Sequence, residues 1–474
     1  MEEACVHRNW PKTKEHHTTR RRNFTPGGAS LQGEKTKKNN AFHYKSLLKF
    51  QKDLKTSFVC GPAVVQDTGA EGVHEEAHKQ LFPEDAGSMS AWVIDQYGTN
   101  AVLRYTEDVP TPAVSRPTDV LLKVHAASLN PLDLSMRGGY GATLLKLRRD
   151  PLSLGSSSEF PLVLGRDVSG IVVDCGTEVT HFAPGDEVWA AVPPWKQGSL
   201  AEFVTLSEYE VSHKPQSLTH TEAASIPYVA STALSALGNA GGLCAETAAN
   251  KRVLITGASG GVGTFSIQLL KAWGAHVTVT CSQNAEGLVR GLGADEVVDY
   301  TAGDAPLTLE AMDRFDVILD NVGGETELWA LPLLRPWSGS KYVTLVTPLL
   351  SHIDLMGLLS GGIQAGCALH NKAIQIMLSS GVFYRWGFYA PDGPALDLVR
   401  NLVDSGKILP VVEAHFSFPQ VPQAFVKLEQ GHARGKTVVR VTEEDSSQAD
   451  ALEQNMPMDS GDMEPPQNQV FSQQ

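Results

Sequence analysis

Long hydrophobic runs are missing: no stretch of about 18 apolar residues occurs in the 474, so nothing reads as a membrane-spanning helix. Cysteine is scarce. Cys5, Cys60, Cys175, Cys244, Cys281 and Cys367 stand far apart with no C-x-x-C pair, which argues against a disulfide framework or a structural zinc site and for a reducing compartment. Cys281 ends an apolar run and reads as a small buried hydrophobe rather than a catalytic thiol. An excess of basic charge is lacking as well. The formal charge is -14, yet it is unevenly spread: residues 1–55 carry thirteen Lys and Arg against five Asp and Glu, and residues 443–474 carry eight acids and no base. The body between them is therefore -14, which argues against a nucleic-acid partner. A mean hydropathy of -0.14 is that of a soluble protein, and the length calls for two or three domains.

The first 88 residues lack apolar periodicity and are expected to be disordered. Arg20, Arg21, Arg22, Lys35, Lys37, Lys38 and the segment His43–Phe58 resemble the basic amphipathic material of a mitochondrial transit peptide, although Glu2, Glu3 and Glu15 depart from that pattern. A solvated basic tail is the other reading. The acidic segment 443–474, without apolar periodicity, is likewise expected to be disordered.

What the chain does have is KRVLITGASGGVG, Lys251 to Gly263. Val253–Thr256 suits a strand buried on both faces of a parallel sheet, glycines follow at once, and Thr264–Gly274 then reads as a helix. Free N–H groups and the positive end of the helix dipole make an anion site there, ordinarily for a dinucleotide pyrophosphate. Ser259, Gly260, Gly261, Val262 and Gly263 are its expected lining. The spacing G-x-x-G-G-x-G varies the usual fingerprint, so context carries the expectation. Strands are predicted at 275–280, 296–300, 315–319 and 342–346, an alternation that a doubly wound sheet requires. Upstream, 91–94, 120–125, 171–174, 187–192 and 201–205 read as short strands of a β-rich domain, and a helical run begins at Thr221.

Together these stretches resemble the medium-chain dehydrogenase/reductase superfamily over roughly Ser90 to Val441. The resemblance is carried by AASLNPLDLSMRGGY (126–140), FPLVLGRDVSGIV (160–172), FAPGDEVWA (182–190), GASGGVG, GADEVVDY (293–300) and GHARGKTVV (431–439). It implies an α/β chain with a GroES-like β-rich domain at 89–225 completed by 395–442, and a Rossmann domain, a doubly wound parallel sheet binding NADPH, at 226–394. Zinc enzymes of the superfamily carry a cysteine near Asn130 and Gly-His-Glu where this chain has Gly165, Arg166 and Asp167. Arginine cannot ligate zinc at neutral pH, so the chain resembles the zinc-free quinone oxidoreductase branch. Within it, YVTLVTP (342–348), WSG (337–339) and YRWGF (384–388) are similar to a mitochondrial, reticulon-interacting group.

Cys281 and Ser282 stand where an NAD site usually places Asp or Glu, so a 2′-phosphate meets no repelling carboxylate and Ser282 can donate to it; NADPH is the expected cofactor. The resemblance adds Tyr300 to the phosphate site, while Ala285 or Glu286 occupies the place of the branch's lysine. It further implies cofactor contacts from Thr232, Asn321, Val322 and Leu345, with Trp386, Phe388, His432, Ala433 and Arg434 closing the cleft. Plain core aromatics at Trp386 and Phe388, and an ordinary turn at His432, are the alternatives. The implied chemistry is hydride transfer to a quinone or activated alkene. Asn130 and Tyr140 are the candidate donors to developing oxyanion charge, with Asp133 bracing their loop. Two functions stay open: an NADPH-dependent reductase of the mitochondrial matrix tied to ubiquinone metabolism, or a cofactor-binding protein acting through reticulon-family partners with little turnover. The apolar run from Leu349 to Leu359 reads as ordinary core, as a homodimer interface, or as a path for a lipid-soluble quinone.

Overall fold

The computed structural model describes residues 87–149 and 159–442. The expectations for the basic N-terminal region, the transit peptide and the acidic tail lie outside the described residues.

The N-terminal half forms strands β1 (Ser88–Ile94), β2 (Leu103–Pro110), β3 (Asp119–Leu129), β4 (Leu162–Val163), β5 (Asp167–Cys175), β6 (Glu187–Ala191), β7 (Phe203–Ser207) and β8 (Val211–His213). Strand β3 carries the alternation that a sheet needs. Val120, Leu122 and Val124 turn into one apolar cluster, Ala127 and Leu129 into another, so the strand holds two cores together. It pairs antiparallel with β5 and β7.

The C-terminal half supplies β9 (Arg252–Thr256), β10 (His276–Cys281), β11 (Glu296–Asp299), β12 (Val317–Asp320), β13 (Lys341–Thr344) and β14 (Phe383–Trp386). These six are parallel in the order β11-β10-β9-β12-β13-β14. Covered on both faces, β9 reads as an unbroken apolar run, and Val253, Leu254 and Ile255 are fully buried, each contributing about 1.5–3 kcal/mol. The order reverses between β9 and β12, and the crevice at the carboxyl ends of these strands is where such sheets bind ligands. The chain then gives β15 (Val412–Ser417) and β16 (Lys436–Arg440) to the first sheet, β16 lying antiparallel to β3. A GroES-like β-rich domain and a Rossmann domain are thus both present.

Three local expectations need correction. The helix after the glycine run spans Gly261–Ala272 and not 264–274, because Gly261 and Gly263 fit inside its first turn. The run from Thr221 breaks into helices His220–Ala223 and Pro227–Ala233, capped by Thr219 and started by Pro227, and widens into a π-helix over Leu234–Ala240. Finally, 349–359 is not core: it forms the helix Leu349–Met356 and the start of the helix Leu358–Ser380. Ile353 is buried there, but Leu355 and Leu359 are 81% and 79% exposed.

Candidate active site

β9 delivers the chain into Gly257, whose φ of +61° only glycine adopts without strain, and Gly260 caps the helix Gly261–Ala272. The first N–H groups of a helix have no carbonyl within it to bond, so this end offers donors and a positive dipole to an anion. Two glycines here have different reasons. A Cβ on Gly263 would come within 2.5 Å of the Ala258 backbone, so Gly263 is required by packing. One on Gly260 would meet only the Gly257 oxygen at 3.8 Å. Packing does not ask for glycine at Gly260.

Gly260 opens onto a cavity of about 540 Å³, lined by Ser259, Gly260, Tyr300, Val322, His432 and Ala433 among the expected residues. Thr256, Thr280, Glu325 and Trp329 complete much of its wall. The loop before β16 folds over the glycines: the Gly435 N–H donates to the Ser259 carbonyl at 2.9 Å. Arg434 is exposed, and its backbone N–H donates to Glu413 at 3.1 Å.

At the far end of β10, the Ser282 hydroxyl lies 2.7 Å from the Asn284 amide oxygen. Ala285 is buried, and Glu286 pairs with Arg290 at 2.7 Å on the surface. The Asp299 carboxylate opposite Cys281 accepts from the Thr301 N–H and hydroxyl, and these bonds hold it below the usual carboxylate range. Burial pushes the Cys281 thiol up to about 11, with Asp299 and Glu286 adding to it, and burial likewise lifts Cys175 to about 11. Iodoacetamide at pH 8 is therefore expected to label exposed Cys244 and to spare Cys175 and Cys281 until the fold opens, as peptide mapping reads directly. Rapid labelling of Cys281 in the folded protein would contradict this.

Asp320, at the tip of β12, is fully buried and was not foreseen. Its carboxylate accepts from the hydroxyls of Thr256 at 2.7 Å and Tyr342 at 2.7 Å and from the N–H groups of Val322 and Gly323. Beside it the Asn321 amide donates to the Thr256 carbonyl at 2.9 Å. These bonds fix the loops after β9 and β12, where Asn321 and Val322 were expected to touch cofactor. Leu345 follows β13 and packs on the Rossmann core.

Other expected residues are not gathered at the first cavity. Thr232 spends its hydroxyl on the Tyr228 carbonyl at 2.7 Å. Trp386 lies on β14 and lines a second cavity of about 580 Å³ with Tyr384, Lys372 and Glu327, meeting Phe388 edge to face at 6.3 Å. The Tyr228 and Tyr389 rings, stacked at 4.6 Å, were also missed; no local pattern pairs residues so far apart in sequence.

Asn130 begins the helix Pro131–Arg137, but its amide does not present a free group. Its Nδ2 donates to Asp167 at 2.8 Å and its Oδ1 accepts from Lys436 at 2.5 Å. Asp133 accepts from the Asn130 N–H and the Gly165 N–H, both at 2.8 Å. Burial raises the Asp133 carboxyl, against the pull of Arg166, whose Nε lies 3.5 Å away. Tyr140 differs: it is half-buried, its hydroxyl makes no hydrogen bond among the described residues, and burial, then Asp354, raises its pKa.

Arg166 is fully buried, donating to the carbonyls of Val163 at 2.8 Å and Pro193 and Lys196 at 3.0 Å. With Lys436 it places two cations and the amide Asn130 beside Asp133 and Asp167. That donor set does not fit zinc, which needs three or four Cys, His or carboxylate ligands.

The alcohol dehydrogenase GroES-like domain family matches residues 116–216, and the family described as zinc-binding dehydrogenase matches residues 292–439. A Danio rerio protein named NAD(P)H oxidoreductase RTN4IP1, mitochondrial, is 62% identical over 357 residues, 75% of this chain and 92% of its own. A Caenorhabditis elegans protein named Reticulon-4-interacting protein 1, mitochondrial, is 37% identical over 76% of this chain and 98% of its own. Among solved structures, the quinone oxidoreductase from Coxiella burnetii superposes with a TM-score of 0.60 at 28% identity, covering 75% of this chain and all of that one. The chain belongs to the mitochondrial NAD(P)H oxidoreductase family of the medium-chain dehydrogenase/reductase superfamily, whose members work with a nicotinamide cofactor.

Proposed function

We propose that this protein is a zinc-independent reductase of the mitochondrial matrix that uses NADPH to reduce a quinone or an activated alkene, with a place in ubiquinone metabolism. The observation that carries the reading is the space left at Gly260, a cradle for pyrophosphate that packing does not explain. When bound, the reduced nicotinamide supplies the hydride.

The protein's part is to hold and to orient. The helix start at Gly261, Val262 and Gly263 binds the pyrophosphate; Ser282 and Tyr300 take the 2′-phosphate; Asn321, Val322 and Leu345 line the path toward the cleft. Thr232, Trp386, Phe388, His432, Ala433 and Arg434 bound that path. Tyr140, with its phenol unspent, is the donor toward a developing oxyanion. Asn130 acts through the loop it fixes, because its amide is engaged with Asp167 and Lys436. A reticulon-type partner, taken from the name of the Caenorhabditis elegans relative, belongs to the same proposal.

The test is oxidation of NADPH and NADH with a panel of short-chain quinones. Turnover with NADPH is expected, and failure with every quinone would overturn the quinone half of the substrate assignment. For Ser282→Asp, a charge set beside the 2′-phosphate is expected to cost on the order of 1–3 kcal/mol, a tenfold to hundredfold loss of NADPH affinity with NADH spared. Equal affinity of the parent for both cofactors would defeat the NADPH assignment. Ordinary ubiquinone levels in cells lacking the protein would defeat the pathway.

A further inference from the structure

The loop that presents Tyr140 has little to hold it from within. Gly138, Gly139 and Gly141 surround the tyrosine, and Gly139 and Gly141 take φ of +96° and +79°, so the backbone on either side of it is of the permissive kind. The helix Ala142–Arg149 that follows lacks a cap of its own. Gly141 stands before its first residue with no side chain to offer, and its first turn holds no acid, although Lys146, Arg148 and Arg149 suit its other end.

The missing cap comes from the Rossmann domain. Asp354, on the helix Leu349–Met356, accepts from the Gly141 N–H at 2.6 Å and from the Thr143 N–H at 3.0 Å, one bond to each carboxylate oxygen. These donors lie 213 and 211 positions away. Leu350, one turn earlier on the same helix, closes the apolar half of the contact: a Cβ on Gly141 would come within 3.2 Å of the Leu350 Cδ1 and 3.0 Å of the Leu145 Cδ1. Asp354 forms no ion pair among the described residues, and it is the charged group that acts on the Tyr140 phenol.

We infer that Asp354 is the positioning residue for Tyr140, clasping the tyrosine loop of the β-rich domain to the helix that follows β13 and so holding the phenol at the cleft. The inference rests on the reading of Tyr140 as the donor toward a developing oxyanion. A carboxylate suits the task in two ways. It has an oxygen for each of two diverging N–H groups, and its charge, added to burial, keeps the phenol protonated and able to donate. An amide of the same shape would turn an NH2 group toward one of those N–H donors and bring no charge. Residues 345–348 join the helix Leu349–Met356 to the end of β13, so the clasp ties the donor to the strand end that lines the proposed cofactor path.

The test uses the full chain with NADPH and phenanthrenequinone, and compares Asp354→Asn, Tyr140→Phe and the double variant, with thermal melts to check that each folds. Asp354→Asn is expected to lower kcat about tenfold with the NADPH dissociation constant unchanged, since a displaced donor costs turnover and not cofactor binding. Most of that loss is expected to vanish in the Tyr140→Phe background, where nothing is left to position. Two readouts need no turnover. The Tyr140 phenol titration, taken as phenolate absorbance against the matching Tyr140→Phe protein, is expected to move to lower pH in Asp354→Asn, because the charge that raises it has gone; the Tyr228 phenol, the other titratable group acting there, is the same in both. Amide exchange at Gly141 and Thr143 is expected to quicken. With a slow Tyr140→Phe, losses that simply add in the double variant would overturn the inference and leave Asp354 a plain helix cap. A parent-like phenol titration in Asp354→Asn would overturn it as well. Full turnover by Tyr140→Phe, or none by the parent, would count against the reading of the site and not against the clasp, which the titration and the exchange then decide.

Discussion

A Gly260→Glu variant is expected to lose dinucleotide affinity by two orders of magnitude or more while melting within about 2 °C of the parent. The two effects separate because a Cβ at Gly260 meets only one atom, the Gly257 oxygen at 3.8 Å, and the longer side chain runs into the cavity, not the core. Its carboxylate then occupies the start of the helix Gly261–Ala272, satisfies the donors meant for pyrophosphate, and repels what remains of it. A hundredfold loss corresponds to about 2.7 kcal/mol. Gly263→Ala is the contrasting variant. Its methyl would sit 2.5 Å from the Ala258 Cα and carbonyl oxygen, so overpacking is expected to cost about 1–3 kcal/mol of stability before any ligand is considered. Calorimetric titration with NADPH, beside thermal melts of both proteins, distinguishes them. Parent-like binding by Gly260→Glu would remove the cofactor from the glycine loop, and a strongly lowered melting temperature would show that packing did need a glycine there.

The sheet that positions this loop was legible because its signal is local. Val253–Thr256, the glycines and the next strand follow one another within thirty residues, and a strand buried on both faces shows as an unbroken apolar run. β14 escaped the same reading: Phe383–Trp386 holds Arg385 and lies at the sheet edge beyond β13. The helix start was misplaced by three residues since glycine argues against helix on propensity, whereas here Gly261 and Gly263 are admitted by close packing, against Lys436 and the Ala258 backbone. In the site, residue types were readable and their partners were not. Asn130 stood out as a donor, yet what it does depends on Asp167 and Lys436, which lie 37 and 306 positions away. Asp320 follows the predicted strand 315–319 and carried no signal of its own. Its five-fold acceptance from β9, β13 and its own loop exists only once the strands are side by side.

Lys436→Met is expected to be the most destabilising single change among those considered, at about 3–5 kcal/mol and a fall in melting temperature of roughly 10 °C. Lys436 is 5% exposed, and its ammonium donates to Asp167 at 3.1 Å, to the Asn130 amide oxygen at 2.5 Å and to the Leu129 carbonyl at 2.9 Å. Its stem lies against the start of the glycine-loop helix, where a Cβ on Gly261 would come within 2.8 Å of the Lys436 Cδ. Methionine keeps most of that stem, so little packing is lost. What goes is the cation paired with the fully buried Asp167 carboxylate, the only such pairing it makes among the described residues; the carboxylate retains the Ser128 hydroxyl at 2.7 Å, the Asn130 amide at 2.8 Å and the Tyr228 N–H at 2.6 Å. Three dipoles do not replace a charge in a site closed to water. The penalty is thus for the carboxylate left behind, which the double variant exposes. Adding Asp167→Asn to Lys436→Met removes the stranded charge and is expected to restore a substantial part of the loss, so the pair of changes costs less than their sum. Thermal and urea melts of the two single variants and the double complete the cycle. Strict additivity would mean that Lys436 acts through its stem alone, and that the cleft between β3, β5 and the glycine helix is not held by this ion pair.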